Sequence, residues 1–250
     1  FVSFESGGRV GVGVVKGNGL VDLGNLRGDR TVTLGALLRA GELPRAMELA
    51  AVREPSIALD DIRYLPVVPD PEKIICIGIN YGNRNEEYKD GAEAPRYPSV
   101  FMRTPGSLVG HREPIVRPAE SEQLDYEGEI VLVIGREGRR IAERDAWGHV
   151  AGLSLMNEGT VRDWLRHSKF NVTPGKNFER SGSLGPWLVT TDEIAPDAEL
   201  HLTTRVNGEL RQDDTTANLI FPFARLIAYL SSFMRLMPGD LIATGTPIGA

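Results

Sequence analysis

Three carboxylates alternate at the start of a β-rich segment. In LDYEGEIVLVIG, residues 124–135, the acids Asp125, Glu127 and Glu129 fall at every second position, so an extended chain would place them on one face. Neighbours on such a face lie roughly 6.5–7 Å apart, and two ionised carboxylates at that distance repel by about 2–3 kcal/mol at an effective dielectric near 20. Desolvation beside the apolar remainder of the segment adds to this cost.

Several arrangements would relieve this repulsion. One acid can be protonated, as in a paired-carboxylate acid–base site, arginines can neutralise the charges, or a hard divalent cation can bind between the oxygens. An exposed strand end with solvated acids would need none of these. The spacing alone leaves the exposed strand end, the acid–base pair and the metal site open.

A third acid that could complete an all-oxygen metal site is Glu158 in LMNEGTVRDW, residues 155–164. We predict that it starts a helix, where an anion is tolerated without any metal, so that role is the alternative. The four histidines are scattered, at positions 111, 149, 167 and 201. The sequence therefore favours Mg²⁺, Mn²⁺ or Ca²⁺ over zinc if a metal is bound.

Composition narrows the functional classes. The 250 residues carry a net charge of −6 without a basic stripe, which argues against a nucleic-acid partner. No run of 18 apolar residues predicts a membrane span. The single cysteine, Cys76, excludes an intrachain disulfide and fits a reducing compartment, so we predict a cytoplasmic protein. Because the chain starts at Phe1 without an initiator methionine, we expect a trimmed start.

The first part of the chain predicts a small α+β domain. Glycines at 7–8 and 17–19 break short β-rich runs into hairpins, and residues 33–51 have helical spacing with an interruption near Gly41–Pro44. A proline-rich stretch at 65–72 follows. We therefore predict a small N-terminal domain over residues 1–68 and a larger catalytic domain over 69–250.

The larger part alternates β-rich runs with helical ones. We predict an amphipathic helix over 218–234 with an early break at Pro222, and a type I′ hairpin turn at Asn207-Gly208. The polar residues 82–98 predict a surface loop or lid with a short helix over 83–88. Further strands and helices are predicted over these ranges: strands at 73–81, 99–104 and 129–135, and helices near 143–149 and from Thr160.

Seven segments in order resemble one known family. They read ICIGINY, DYEGEIVLVIG, NEGTVRD, TPGKNF, GPWLVT, VNGELRQ and GDLIATGTPIG, and together they are similar to the fumarylacetoacetate hydrolase family. The resemblance implies a β-rich mixed α+β fold, with a β-roll catalytic domain and a small N-terminal α+β domain. It also implies a homodimer and further strand beyond Ala250. Bacterial members include acylpyruvate hydrolases, oxaloacetate decarboxylases and isomerases or decarboxylases of aromatic catabolism, which share a 2-oxo acid bound to Mg²⁺ or Mn²⁺.

The resemblance assigns a metal site to the acids. Glu127 and Glu129 match the family's Glu-x-Glu ligand pair, and Glu158 matches a position that is usually Asp. The extra methylene of Glu158 still permits ligation but moves the carboxylate. Asp125 becomes either a neighbour of the ligands or a substitute ligand. Mg²⁺ or Mn²⁺ is the implied cofactor, with Ca²⁺ as a non-productive substitute.

The resemblance also assigns substrate contacts. Lys176 matches a lysine that faces the substrate and would steady an enolate. Arg103 would bring positive charge to the substrate's far end. Tyr81, Gly245 and Thr246 are expected to bind the substrate, the last two through a loop whose N–H and hydroxyl groups meet a carboxylate.

One departure from the family concerns the attacking water. Hydrolytic relatives commonly carry a His and, three residues later, a Glu on the lid, whereas this chain has Arg84 and Glu87. Arginine stays protonated and cannot act as a base at neutral pH. Glu87 would have to act alone, His167 would have to reach the site, or Arg84 would bind a negatively charged substrate end.

Three functional hypotheses follow. The first is metal-dependent hydrolysis of a C–C bond in a small 2,4-dioxo acid of the acylpyruvate or fumarylpyruvate type, in aromatic or sugar-acid catabolism. The second is decarboxylation or tautomerisation of a 2-oxo diacid such as oxaloacetate with the same metal. The third is a non-catalytic ligand-binding relative.

Overall fold

The first sixty-odd residues form a five-stranded antiparallel sheet. The computed structural model describes residues 1–24, 26, 32–82, 95–167 and 171–250. The strand order of this sheet is β4-β3-β2-β1-β5, and its strands are β1 Val2–Ser6, β2 Arg9–Lys16, β3 Gly19–Asp22, β4 Ile57–Ala58 and β5 Arg63–Tyr64. The predicted glycine turn between β1 and β2 is confirmed, because Gly7 and Gly8 both adopt positive φ angles, of 57° and 75°.

Two short helices lie between strands β3 and β4 in the chain. Helix α1 spans Leu34–Arg39 and helix α2 spans Leu43–Ala51. The Thr33 hydroxyl caps α1 by accepting a hydrogen bond from the Ala36 N–H at 3.1 Å. Gly41, at φ 66°, lies in the break between the helices, which confirms the predicted interruption.

An eight-stranded sheet forms the rest of the framework. Its order is β7-β6-β17-β10-β11-β13-β8, with β14 also paired to β11. The strands are β6 Ile74–Gly78, β7 Ser99–Arg103, β8 Leu108–Val109, β10 Gly128–Ile134, β11 Val150–Asn157, β13 Gly182–Leu184, β14 Val189–Thr190 and β17 Leu241–Ala243. The β6–β17 and β8–β13 pairs are parallel, and the others are antiparallel.

The remaining elements border this sheet. They are the pair β9 Leu124–Asp125 and β12 Thr160–Val161, the hairpin β15 His201–Val206 and β16 Glu209–Thr215, and the helices α3 Thr173–Lys176 and α4 Phe223–Phe233. Asn207 and Gly208 have φ angles of 52° and 84°, which confirms the predicted turn. Helix α4 begins directly after Pro222, where a proline disturbs no helical hydrogen bond.

One helix prediction is confirmed and another needs correction. The helix predicted near 143–149 is a 3₁₀ helix, Glu143–His149. The helix predicted from Thr160 starts instead as strand β12, and a 3₁₀ helix over Arg162–Arg166 follows it. Glu158 is therefore in the connection between two strands and not at a helix N-terminus.

The eight-stranded sheet separates two hydrophobic cores, as the alternation along β10 requires. Val131 and Val133 pack into a core shared with α1 and the N-terminal sheet. The residues between and beside them, Ile130, Leu132 and Ile134, pack into a second core with α4. Strand β10 is thus buried on both faces, so the side chains at its start are carried into the interior.

The structure has the predicted fold class, a β-rich mixed α+β fold. The strands of the five-stranded sheet all precede residue 68 and those of the eight-stranded sheet all follow it. One hydrophobic core nevertheless contains Val12 and Leu34 from the first part of the chain together with Val131 from the second. The division into two domains stays a prediction. In the described part of the chain, no helix is long and apolar enough to cross a membrane.

Candidate active site

Three buried glutamates converge at the edge between β10 and β11. One carboxylate oxygen from each of Glu127, Glu129 and Glu158 lies within 4.8 Å of the other two. Strand pairing produces this meeting: Gly128 of β10 lies opposite Asn157 of β11, so the acids that flank these residues come together. The Glu158 N–H donates to the Glu127 carbonyl at 2.7 Å, which fixes the two backbones side by side.

Asp125 is not part of this group. The chain leaves the strand at Tyr126 and Glu127, so the predicted continuous acidic face is interrupted. Asp125 belongs instead to β9, opposite Thr160, and its carboxylate pairs with Arg162 Nε at 2.8 Å. Arg162 in turn pairs with Glu127 through Nη1 at 2.8 Å. Asp125 therefore orients the arginine that contacts the glutamate.

Lys176 connects two of the glutamates. It ends helix α3, and its buried ammonium lies 2.6 Å from Glu127 Oε2 and 2.8 Å from Glu158 Oε2. Burial opposes the charge, but the carboxylates of Glu127 and Glu158 outweigh it and raise the pKa of Lys176 above its usual value. The ammonium also lies 4.9 Å from the centre of the Phe101 ring. Lys176 is therefore a fixed positive charge at neutral pH.

Arg103 contacts one of the three glutamates. Its guanidinium is fully buried and donates to Glu158 Oε1 and to the Gly159 carbonyl, both at 2.9 Å. It also donates to the hydroxyls of Ser107 and Ser181, at 3.1 and 3.0 Å. Arg103 is not among the residues that line the cavity described below. It holds Glu158 in place, and its contact with the far end of a substrate stays a prediction.

Glu129 has no cationic partner among the described residues. Its Oε2 accepts a hydrogen bond from the Gly245 N–H at 2.8 Å. Burial and the charges of Glu158 and Glu127 raise the pKa of the Glu129 carboxyl well above its ordinary value. Gly245 has φ 99°, and an added Cβ would lie only 2.7 Å from the Asn80 Cβ, so this close approach requires glycine.

The other expected substrate contacts divide into two groups. Thr246 lines the cavity, and its hydroxyl donates to the Gly128 carbonyl at 2.9 Å while accepting from Gln212 Nε2 at 2.8 Å. Gly245 reaches Glu129 but does not line the cavity, and the fully buried Tyr81 does not line it either. Of these three residues, Thr246 is therefore the one that the structure places at the cavity surface.

A cavity of about 340 Å³ opens over the glutamates. Its polar side consists of the three acids, Lys176, Arg162, Ser99 and Thr246. The rest of its lining is mostly apolar and is formed by Ile77, Gly78, Ile79, Phe101, Leu165 and Val172. A small acid bound in this cavity could thus meet both charged groups and hydrocarbon.

Two of the predicted catalytic residues fall on the predicted lid. Arg84 and Glu87 both lie outside the described residues. His167 is exposed, with its ring 4.2 Å from that of Trp164, and it is not a lining residue. Among the described residues, the cavity wall contains no histidine.

Some site residues were not assigned from the sequence. Arg162 follows Glu158 by four positions, so a positively charged residue close to an acidic motif could have been recognised as a site residue from the sequence. Asn157, whose Oδ1 accepts from the Glu127 N–H at 2.9 Å, directly precedes Glu158. Gln212 accepts from the Gly128 N–H at 3.0 Å and lies in a quoted family motif, although 84 residues separate the two.

The donor set fits a hard divalent cation. It consists of three carboxylates, which suit Mg²⁺ or Mn²⁺ better than zinc or copper. Burial, and then the repulsion by Glu158 and Glu127, raise the pKa of Glu129, and a cation between the three carboxylates would relieve that repulsion. Glu127, Glu129 and Glu158 are therefore the residues that would hold the metal.

Comparison with known proteins agrees with this geometry. The family profile for the fumarylacetoacetate (FAA) hydrolase C-terminal region matches residues 73–250. The chain belongs to the fumarylacetoacetate hydrolase family. The resemblance predicted from the sequence is thus confirmed, and with it the fold class.

Named relatives in the family include enzymes of two activities. The chain is 36% identical over 235 residues to the mitochondrial oxaloacetate tautomerase Fahd2a of Rattus norvegicus, covering 93% of this chain and 74% of the relative. It is 42% identical over 196 residues to the oxaloacetate tautomerase YisK of Bacillus subtilis, covering 77% and 64%. The maleylpyruvate hydrolase of Sphingobium sp. SYK-6, crystallised with manganese (II) ion and pyruvate, superposes with a TM-score of 0.81 at 30% identity, covering 99% and 88%.

Proposed function

We propose that this protein is a divalent-metal-dependent tautomerase that interconverts the keto and enol forms of a small 2-oxo diacid of the oxaloacetate type. One observation carries the proposal: buried acids and fixed cations face the cavity, and its described wall has no histidine to activate water. Tautomerisation needs an electron sink at the 2-oxo group and a proton carrier, whereas hydrolysis also needs an activated water. Relatives named oxaloacetate tautomerase, 36% and 42% identical, support this choice.

The chemistry divides between the metal and the side chains. A Mg²⁺ or Mn²⁺ ion bound by Glu127, Glu129 and Glu158 would supply a Lewis acid that polarises the 2-oxo carbonyl. Lys176, whose ammonium lies 2.6 Å from Glu127 and 2.8 Å from Glu158, would donate hydrogen bonds and stabilise negative charge on the enolate oxygen. We assign the removal of the C3 proton to another residue.

Other residues orient the substrate and the ligands. Arg103 fixes Glu158, and Gly245 fixes Glu129, each through a bond within 2.9 Å. Thr246 is anchored by Gln212 and Gly128; its one hydroxyl proton is donated to the Gly128 carbonyl, so Thr246 shapes the cavity surface rather than donating to a substrate carboxylate. We propose Glu87 as the carrier of the C3 proton and Arg84 as a partner for the second carboxylate.

Hydrolysis of a 2,4-dioxo acid is the second candidate. The likeness to a maleylpyruvate hydrolase with bound manganese and pyruvate supports it. In that case Glu87 would activate water alone. A homodimer and a cytoplasmic location stay predictions.

The two activities separate in one experiment. Mn²⁺-loaded protein is mixed with the enol form of oxaloacetate and, in parallel, with acetylpyruvate; enol decay, pyruvate and CO₂ are followed. The proposal predicts accelerated enol decay without matching pyruvate or CO₂. Pyruvate and acetate from acetylpyruvate would favour the hydrolase, and CO₂ from oxaloacetate would favour a decarboxylase.

Two variants control this assay. Glu129→Gln should abolish the acceleration because it removes a metal ligand. Glu137→Gln makes the same change at an exposed glutamate that pairs with Arg235 at 3.7 Å, and it should leave the rate unchanged. Equal rates in both variants would refute the assignment of the metal site.

A further inference from the structure

The apolar wall of the cavity contains a residue with an unusual backbone. Ile79 has φ 52°, in the left-handed region that β-branched residues avoid. Five described non-glycine residues have positive φ, and the other four are arginines or an asparagine: Arg112, Arg140, Arg180 and Asn207. A conformation of this kind carries a cost and persists where the surroundings enforce it, most often at functional sites.

The surroundings of Ile79 do enforce its conformation. On one side, strand β6 ends at Gly78 after pairing with both β7 and β17. On the other side, the fully buried Asn80 side chain donates to the carbonyls of Phe221 and Thr244, at 3.1 and 2.8 Å, and accepts from the Phe221 N–H at 2.7 Å. The chain must therefore turn sharply at Ile79.

Glycine would satisfy this turn without strain, yet the chain has isoleucine. Ile79 lines the cavity together with the apolar residues Ile77, Phe101, Leu165 and Val172. The feature that glycine would lack is the hydrocarbon surface itself. The strain is thus explained if that surface contacts the substrate.

We propose that Ile79 is a specificity-determining residue, held in a strained conformation so that its side chain contacts the carbon chain beyond the 2-oxo group. This inference rests on the proposed function, in that the ligand is a metal-bound small 2-oxo acid. It adds that the wall contacts the carbon atoms between the 2-oxo group and the second carboxylate of a diacid, so that monocarboxylic analogues should bind more tightly as their carbon chain lengthens. Burial of each added methylene against the wall should strengthen binding about fourfold.

Alanine and glycine variants separate the strain from the wall. Both Ile79→Ala and Ile79→Gly remove the hydrocarbon surface, but only alanine keeps a Cβ that the positive φ disfavours. Glycine is ordinarily the less stable of the two. Here Ile79→Gly should melt higher than Ile79→Ala, by roughly 2–4 °C for a strain of ordinary size.

Binding provides the second measurement. Pyruvate, 2-oxobutanoate and 2-oxopentanoate are titrated into the Mn²⁺-loaded protein by calorimetry. Affinity should rise along this series for the wild type, and the rise should be lost in both variants. The affinity for Mn²⁺ should stay unchanged, because Ile79 is not a ligand. Ile79→Val, which keeps most of the wall, should fold and lose only part of the rise.

Arg140 provides the matched control. It has φ 56° but is exposed and lies away from the cavity. Arg140→Gly should also melt higher than Arg140→Ala, while both bind the three acids as the wild type does.

Each result has a distinct meaning. If Ile79→Ala melts as high as Ile79→Gly or higher, the strain is refuted. If the variants keep the chain-length dependence, or the wild type binds the three acids equally, the contact is refuted. If the Mn²⁺-loaded wild type binds none of these acids, the proposed function itself fails, and this inference with it.

Discussion

Replacing Arg103 by methionine would leave a buried carboxylate with half of its partners. The Arg103 and Glu158 side chains are 0% and 1% exposed and lie 2.9 Å apart. Breaking a buried ion pair by removing one member costs about 3–5 kcal/mol. Lys176 still pairs with the other oxygen of Glu158, so we expect the lower end, about 3 kcal/mol. For a chain of this size that is a fall in Tm of roughly 6–12 °C.

The assay is thermal unfolding with and without Mn²⁺. The cation should restore part of the stability of Arg103→Met, because it offers the stranded carboxylate a new partner; a ligand at 100 times its Kd adds about 2.7 kcal/mol. Arg225→Met is the matched control, since Arg225 pairs with Glu143 at the same kind of distance, 2.8 Å, but both side chains are half exposed. It should change Tm by no more than about 4 °C.

A double variant tests whether the loss of stability comes from the stranded Glu158 carboxylate. Arg103→Met with Glu158→Gln removes the stranded charge as well as its partner, so it should melt higher than Arg103→Met alone. If the double variant melts lower than the single one, the loss does not come from an uncompensated carboxylate, and Arg103 does not act through Glu158.

Three further predictions concern the metal ligands and Lys176. In the metal-free protein, Glu129→Gln should raise Tm at neutral and alkaline pH. A carboxyl whose pKa is higher in the folded state than in the unfolded state destabilises the fold at pH values above the folded-state pKa, by about 1.4 kcal/mol per unit of pKa difference, and not at all at pH values below the unfolded-state pKa. An equal gain in Tm at pH 3 would contradict this. Mn²⁺ binding should release up to about one proton, because a ligand must be deprotonated, and calorimetry in two buffers of different ionisation enthalpy measures it; no buffer dependence near neutral pH would contradict the raised pKa of Glu129. Lys176→Met should lower enol turnover by about 10²–10³-fold while Mn²⁺ still binds; loss of Mn²⁺ binding would instead make Lys176 a structural support of the ligands.

The sequence predicted the parts of the site that depend on local pattern. Alternation placed Glu129 on the same strand face as Val131 and Val133, and β10 has that arrangement. The family motifs identified Glu158 and Lys176, which are 18 residues apart in the chain. The Lys176 ammonium and a Glu158 carboxylate oxygen lie 2.8 Å apart. The turn at Asn207-Gly208 could also be predicted from the sequence, because a two-residue turn depends on its own residues.

The parts that the sequence did not predict depend on long-range packing. No local pattern shows that Arg103 is buried against Glu158, 55 residues away in the chain. The helix assigned to Glu158 gave way to strand β12, since Thr160 pairs across to Asp125 in a contact 35 residues distant. The positive φ of Ile79 is likewise imposed by Asn80 and its contacts with residues 221 and 244.

We propose that Glu127, Glu129 and Glu158 hold one divalent ion on which a small 2-oxo acid is processed. Anomalous diffraction from crystals grown with Mn²⁺ and soaked with pyruvate would locate this ion. We expect one strong peak per chain, coordinated by all three carboxylates, with pyruvate density on the cavity side. A peak elsewhere, or a peak that leaves any of the three glutamates uncoordinated, would contradict it.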